Sequence, residues 1–269
     1  MANSDKNEKA LLFGLFAIAF VILLFFSRYF LIEKKGGSEN SKRTEQNEIK
    51  KLPSLSNSEL SKMILEKKPL VILDIRDQKS YEIEHIIGSK NVSSTNLQDI
   101  LFSTDKNKVY VIVDYTGENS AINLSDNIKE LPDVFSLEGG FTAWKLNHNS
   151  TISAGDPSSF SDQSKVIYIN SDDLKKIIDS GQSNTYIIDV RSSNLFSQGH
   201  LKNAKNIHLD SLENNYRNIP LGKKIIVYDD NGYNAFQAAV RLFDLGVMNV
   251  FSLSDGLDTW KQKRFEVVK

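Results

Sequence analysis

The apolar residues of this chain fall into short, uninterrupted runs that alternate with amphipathic segments. Four of these runs occupy residues 70–73, 109–113, 186–188 and 225–228. Runs that are apolar on consecutive positions are typical of strands buried on both faces of a parallel sheet. Since helical patterns separate the runs, the sequence predicts an α/β fold with a mainly parallel sheet and helices on both faces.

Capping and breaking signals mark the helices. Ser56 and Glu59 form a capping-box pattern ahead of an apolar stretch, and Ser171 precedes a similar stretch later in the chain. The runs at 109–113 and 225–228 each lead through a glycine-containing loop into an amphipathic helix. The first of these helices is expected over 121–131. Short strands at 134–137 and 250–253 follow, each ahead of a last helix that carries a tryptophan.

The same order of residues occurs twice, which indicates a duplicated domain. Residues 72–76 return 115 positions later as residues 187–191, with Asp74 matching Asp189 and Arg76 matching Arg191. Other landmarks keep this offset, and one extra residue then shifts it to 116. The later matches pair His85 with His200, Asn91 with Asn206, Asp114 with Asp229, Gly117 with Gly232, Gly140 with Gly256 and Trp144 with Trp260. Chance does not keep so many landmarks in register.

A long apolar segment near the N-terminus predicts a membrane anchor. Residues 10–27 carry no charge, and at 1.5 Å per residue they span roughly 27 Å, close to the hydrocarbon thickness of a bilayer. The predicted span extends from Ala10 to Ile32, and the bilayer is therefore an expected partner. A cleaved signal peptide is the alternative, but no small-x-small cleavage site is present. Basic residues on both sides leave the membrane side of the domains open.

These patterns divide the chain into six parts. They are an N-terminal tail (1–9), a single transmembrane anchor (10–32), a polar stalk (33–53), a first domain (54–147, called copy one), a linker (148–164) and a second domain (165–269, called copy two). The stalk is rich in charged residues, and we expect none of it to pack.

Composition limits the chemistry. The chain has no cysteine, so it forms no disulfide, thiolate metal site or thiol nucleophile of its own. Its net charge is -1, with 33 basic and 34 acidic residues, which gives no reason to expect a nucleic-acid partner. We also expect no cofactor and no resident metal.

The most probable functional surface is the loop after the second apolar run of each copy. In open α/β sheets, ligands bind at the carboxyl ends of the strands, where loop amides and helix N-termini can form an anion nest. The candidate residues for ligand or partner binding are Tyr115, Thr116, Gly117, Glu118, Asn119, Ser120, Asp230, Asn231, Gly232, Tyr233 and Asn234. Tyr115 is the favoured aromatic anchor for a partner.

The ordered set of landmarks resembles the rhodanese (sulfurtransferase) family. It consists of Asp-x-Arg, a histidine followed by Asn, a strand entering a glycine loop, and a late glycine ahead of tryptophan. The resemblance covers residues 54–147 and 165–265. It implies that the loop begins with a persulfide-carrying cysteine and often holds a basic residue later on. By position, Asp114 and Asp229 occupy the cysteine sites, and Asn119 and Asn234 the basic sites.

For Asp114 and Asp229 the sequence leaves three roles open: a structural acceptor for loop amides, a carboxylate that binds a partner, or a nucleophile or Mg²⁺ ligand. Asp74, Arg76, His85, Asp189, Arg191 and His200 are expected to support the fold or to orient the loops.

The function we expect is that of a membrane-anchored, catalytically degenerate binding or scaffold protein with a protein partner at the loops. Two alternatives stay open. One is a metal-assisted hydrolase or phosphotransfer enzyme that uses Asp114 or Asp229. The other is a component of a sulfur-transfer pathway that uses a partner's thiol.

Overall fold

The computed structural model describes residues 52–103, 105–118, 133–181 and 183–269. The predicted anchor from Ala10 to Ile32, the predicted helix over 121–131, and the loop residues Asn119 and Ser120 lie outside these ranges. Within the described ranges, no helix combines the length and the apolar character needed to cross a bilayer.

Copy one is built from short strands and helices in alternation. Its elements are β1 (Ser54–Leu55), α1 (Asn57–Leu65), β2 (Leu70–Asp74), α2 (Gln78–Ile83), β3 (Glu84–Ile86), β4 (Ser89–Asn91), α3 (Leu97–Phe102), β5 (Val109–Val113), β6 (Val134–Leu137) and α4 (Gly140–Leu146). The predicted capping box is present at the start of α1, where Ser56 and Glu59 bond each other's backbone N–H groups.

The joint between the copies contributes β7 (Thr151–Ser153) and α5 (Phe160–Gln163). Copy two then comprises β8 (Ile167–Ile169), α6 (Ser171–Asp179), β9 (Thr185–Asp189), α7 (Ser193–Gln198), β10 (Lys205–Asn206), α8 (Leu212–Asn215), β11 (Lys224–Tyr228), α9 (Tyr233–Asp244), β12 (Val250–Leu253) and α10 (Gly256–Gln262), with short 3-10 turns on either side of α8.

Each copy has one five-stranded parallel sheet, and the strand order is the same in both. The order is β1-β6-β5-β2-β4 in copy one and β8-β12-β11-β9-β10 in copy two. All of these pairs are parallel, with Asp74 opposite Val113 and Asp189 opposite Tyr228. The predicted α/β fold and the duplication are therefore confirmed.

Successive residues of the central strands feed two different cores, which explains why the runs are apolar throughout. In copy two, Ile225 and Val227 pack against α9, while Ile226 and Tyr228 pack on the opposite face with Leu174 of α6 and Trp260 of α10. The strands of copy one divide in the same way. Trp144 and Trp260 are fully buried core residues.

One predicted boundary was wrong. Leu52 and Pro53 do not belong to a solvated stalk: Leu52 is buried in the core of copy one, and the Pro53 carbonyl accepts from Ser136 N. The sequence failed here because one leucine among charged residues carries no periodic signal. The helix α6 begins at Ser171 with Asn170 as its N-cap, and the Ser171 backbone N–H donates to the Asp255 carboxylate.

The linker over 148–164 is ordered and is shared by both copies. Its strand β7 pairs antiparallel with β3 of copy one. Lys165 then bridges Asp162, at 3.0 Å, and Asp244 of α9, at 2.9 Å. Burial raises the pKa of Asp244 despite these bonds. The joint is therefore tied to both copies by a half-buried polar network.

Candidate functional site

A buried ion pair lies beneath the loop of each copy. Arg76 Nη2 donates to Asp74 Oδ2, and Arg191 Nη2 donates to Asp189 Oδ2, both at 2.7 Å. Both aspartates are fully buried. The second partner of each guanidinium is a backbone carbonyl at 2.8 Å, of Glu84 or Gly199.

Asparagine completes this arrangement by fixing the turn between Asp and Arg. Asn91 Nδ2 donates to the Asp74 and Arg76 carbonyls at 3.0 and 2.8 Å. Asn206 makes the same two bonds in copy two, to Asp189 and Arg191. These bonds agree with the supporting roles predicted for Asp74, Arg76, Asp189 and Arg191.

The remaining face of each arginine contacts its loop, in a different way in each copy. In copy two, Arg191 Nη1 donates to Asp230 Oδ1 at 2.9 Å. Burial by itself would lower the pKa of Arg191, but the carboxylates of Asp189 and Asp230 outweigh it and raise the pKa. In copy one, Tyr115 replaces Asp230, and the Arg76 guanidinium lies 5.8 Å from the centre of the Tyr115 ring and 3.6 Å from that of Phe141 in α4.

The Asp229 carboxylate is bonded by the amides of its own loop. Oδ1 accepts from Gly232 N at 2.7 Å and Oδ2 accepts from Asn234 N at 3.1 Å. The side chain is almost completely buried, at 3% exposure. Burial raises the pKa of Asp229, and the backbone amides only partly offset this. Among the roles considered for Asp229, this geometry matches the structural acceptor.

Asp114 of copy one makes the corresponding short bond from Gly117 N to Oδ1 and is half-buried. Both loops also need glycine. Gly117 has a φ of 76° and Gly232 a φ of 91°. A Cβ at either position would lie 2.5 Å from a carbonyl oxygen, of Leu137 or Ser254. The close approach of loop and strand end therefore fixes the loop shape in both copies.

The two loop tyrosines, Tyr115 and Tyr233, differ in the hydrogen bonds that their side chains make. Tyr115 is 46% exposed, but its hydroxyl donates to Asp77 Oδ2 at 2.5 Å and lies 2.6 Å from Ser80 Oγ. Tyr233 is 54% exposed, and in the described part of the chain no side-chain hydrogen bond holds it. The sequence favoured Tyr115 as a partner anchor, whereas the structure presents Tyr233 more openly.

The bond from Tyr115 gives a direct pKa prediction. The Tyr115 hydroxyl, aided by Ser80, lowers the pKa of Asp77 to about 2. In Tyr115→Phe this pKa is expected to return toward its ordinary value of 3.8. A lowered acid pKa stabilises the fold above the unfolded value, and this contribution disappears as the pH falls from 3.8 to about 2. A carboxyl ¹³C titration of both proteins measures the shift. An Asp77 pKa that is unchanged in Tyr115→Phe would contradict the assignment.

The histidines occupy equivalent places, and one of them joins the copies. His85 Nδ1 lies 2.9 Å from Tyr81 O, and His200 Nδ1 lies 3.0 Å from Phe196 O. His85 Nε2 also lies 3.1 Å from Glu213 Oε2 of copy two. Sequence reasoning missed Glu213, since nothing local marks it as a partner of a residue 128 positions away.

The metal-assisted alternative would need free carboxylates around Asp229, and its neighbours in copy two are Asp189 and Asp230. Each carboxylate already has its own donors, from Arg191 or from loop amides. Over the described residues, no group of three or more histidine, aspartate or glutamate side chains is placed to hold a metal ion.

Comparison with known proteins defines the class. The sequence model described as "Rhodanese-like domain" matches residues 56–147 and 170–263, one match for each copy. These matches cover more than half of the chain, so it belongs to the rhodanese-like family, with two such domains in tandem.

Its relatives include proteins named as thiosulfate sulfurtransferases. Thiosulfate sulfurtransferase GlpE of Pseudoalteromonas translucida (strain TAC 125) is 34% identical over 90 residues, which are 33% of this chain and 86% of that protein. The protein of the same name from Coxiella burnetii (strain RSA 331 / Henzerling II) is 36% identical over 86 residues, or 32% and 80% of the two chains.

Among solved structures, a crystal structure of a thiosulfate sulfurtransferase from Pseudomonas aeruginosa aligns with a TM-score of 0.41 and 14% identity. The alignment covers 81% of this chain and 43% of that one, so this chain spans less than half of its length.

Proposed function

We propose that this chain is a membrane-anchored tandem rhodanese-like protein that does not transfer sulfur itself and that binds a protein partner through its loops. This proposal aligns Asp114 and Asp229, by the order of the landmarks along the chain, with the persulfide-carrying cysteine of the family. A carboxylate oxygen cannot carry a transferable sulfane sulfur, and the chain contains no cysteine that could carry it instead.

The observation that carries this proposal is the state of the Asp229 carboxylate. The Gly232 and Asn234 amides, which could receive a substrate anion, already bond a buried internal carboxylate. An incoming anion would have to displace Asp229 and leave its charge without donors in a buried position. The cost of an unpaired buried charge makes this exchange unfavourable.

The outer face of the same loop supports the binding role. Asn231 and Tyr233 are exposed beside Asp230, whose carboxylate is held by Arg191. A fixed backbone that presents an exposed tyrosine offers contact area at a small entropic cost, as in protein-binding surfaces. In copy one the exposed residues of the described loop are Tyr115, Thr116 and Glu118, and Tyr115 is fixed by Asp77.

The charge-free segment supports the anchor. Residues 10–27 are long enough to cross the hydrocarbon region, and the stalk that follows would place both domains near the bilayer surface. We therefore propose that the partner is met at a membrane.

The first arm of the test is a sulfur-transfer assay. The full chain in detergent is assayed for thiosulfate:cyanide and mercaptopyruvate sulfur transfer, with glutathione added in a parallel series. We expect turnover at the buffer background in the first series. Turnover above background without glutathione would overturn the proposal. Turnover only with glutathione would favour the alternative that uses a partner's thiol.

The second arm asks whether the loops bind a protein. A photo-crosslinking residue is placed at Tyr233, and a matched one at Phe160, which is 85% exposed on α5. Membranes that contain the protein should give a discrete adduct from position 233 only. The adduct should disappear when Gly232→Ala distorts the loop. Equal adducts from both positions, or none from position 233, would contradict a partner at the loop of copy two.

A further inference from the structure

A cavity of about 520 Å³ lies at the junction of the two copies and is separate from the Asp loops. We call it the junction cavity. Copy one lines it with Lys79, Glu82 and His85, and copy two with Asp210, Glu213 and Arg241, together with apolar residues. Its volume falls within the range of small-molecule sites. Its lining includes no residue of 114–118 or 229–234.

Two of the three carboxylates of the junction cavity have a partner on the protein. Glu82 Oε1 accepts from Gln78 Nε2 at 2.6 Å, and Glu213 Oε2 lies 3.1 Å from His85 Nε2. The third, Asp210, is exposed to solvent, and the nearby His208 Nδ1 accepts from its backbone N–H.

His85 lies between the two copies. Its Nδ1 faces the Tyr81 carbonyl, and its Nε2 faces the Glu213 carboxylate. Burial by itself raises the pKa of Glu213, but the bond from His85 and the nearby Arg241 outweigh it and lower the pKa. The Glu213 carboxylate is therefore already stabilised by groups of the protein.

Two cations of the junction cavity have no acceptor. In the part of the chain that the structure describes, neither Arg241 nor Lys79 donates a side-chain hydrogen bond or forms an ion pair within 4.0 Å. Arg241 Nε is moreover fully buried without an acceptor. A buried donor without a partner costs about 1–3 kcal/mol. Arg241 and Lys79 are therefore the cations of the cavity whose donors are left unpaired by the described residues.

We propose that the junction cavity binds a small oxyanion of the phosphate or sulfate class, held by Arg241 of copy two and Lys79 of copy one. A guanidinium matches two oxygens of such an anion with two parallel bonds, and an ammonium adds a second charge. Since the ligand contacts both copies, it stabilises their junction by mass action. This proposal does not depend on the partner proposed for the loops.

The test is a titration of the full chain in detergent with sodium phosphate and sodium sulfate, at an ionic strength matched with sodium chloride. Calorimetry should show saturable binding of at least one of the two oxyanions, and thermal unfolding should shift upward with the oxyanion but not with chloride. Arg241→Gln and Lys79→Gln should each weaken binding by about tenfold or more. The control is Arg217→Gln, which changes an exposed arginine outside the cavity and should leave the affinity unchanged.

The proposal would be overturned by wild-type protein that binds neither oxyanion saturably at millimolar concentrations, or by equal affinities in wild type and in both variants. Binding that Arg217→Gln weakens as much as Arg241→Gln would indicate nonspecific attraction and would also overturn it. If circular dichroism shows that Arg241→Gln does not fold, Lys79→Gln and Arg241→Lys decide. Lys79 is exposed at the rim and its replacement leaves the core intact.

Discussion

Replacement of Arg191 by alanine is expected to lower the free energy of unfolding of copy two by about 3–5 kcal/mol. The substitution leaves the fully buried Asp189 carboxylate without its guanidinium partner and deprives the Gly199 carbonyl of a donor. It also releases Asp230 from its place in the loop. A buried charge without a partner is among the most destabilising defects in a folded protein.

This effect can be measured in a Trp144→Phe background, where the remaining Trp260 reports on copy two during urea unfolding. The matched control is the double variant Asp189→Leu/Arg191→Met, which removes both charges and should recover much of the loss. Arg217→Ala, at an exposed position, should change the free energy of unfolding little. A loss below about 1 kcal/mol in Arg191→Ala would contradict a buried pair, since that is the range of exposed ion pairs.

Gly232→Ala is expected to cost about 2–5 kcal/mol, the sum of a left-handed residue and a steric overlap. At a φ of 91°, its Cβ would lie 2.5 Å from the Ser254 carbonyl oxygen, which belongs to the backbone and cannot rotate away. The loop would have to move, and the amides that bond Asp229 would move with it. Stability and partner binding should therefore fall together.

The chain offers a control that separates the two causes. Gly246 has a φ of 87°, nearly that of Gly232, but an added Cβ there meets nothing within 4 Å. Gly246→Ala should thus show only the conformational cost, about 1–2 kcal/mol. Equal losses in both alanine variants, measured by urea unfolding, would mean that the contact with Ser254 does not matter.

Arg191→Ala and Gly232→Ala change features that the sequence predicted. These features were predictable because each depends on neighbouring residues. The Asp-x-Arg pair works within three consecutive residues, since Arg191 N and Nε both bond the Asp189 carboxylate. Loop glycines likewise mark positions of positive φ. The Asp-x-Arg pair and the loop glycines depend only on residues a few positions apart, so they can be predicted within one copy and recur in the other.

The exposed side of the site could not be predicted in the same way. The sequence favoured Tyr115 over Tyr233 as a partner anchor, but the Tyr115 hydroxyl bonds Asp77, which lies 38 residues earlier. The sequence assigned Leu52 to the stalk, but Leu52 is buried in the core of copy one. In each case a distant segment decides the environment, and a distant segment leaves no periodic signal at the residue itself.

The sequence by itself determined the alternation of buried strands and helices, the duplication, the glycine loops that begin with aspartate, and the absence of a thiol. These follow from residue type and spacing along one stretch of chain. Only the tertiary structure decided that amides bond Asp229, that the linker belongs to both copies, and that Arg241 and Lys79 meet in one cavity without an acceptor. The first fact depends on the course of the loop backbone, since residue type alone left three roles open for Asp229. The other two depend on which surfaces come together when the two copies pack, and spacing along the chain does not specify that.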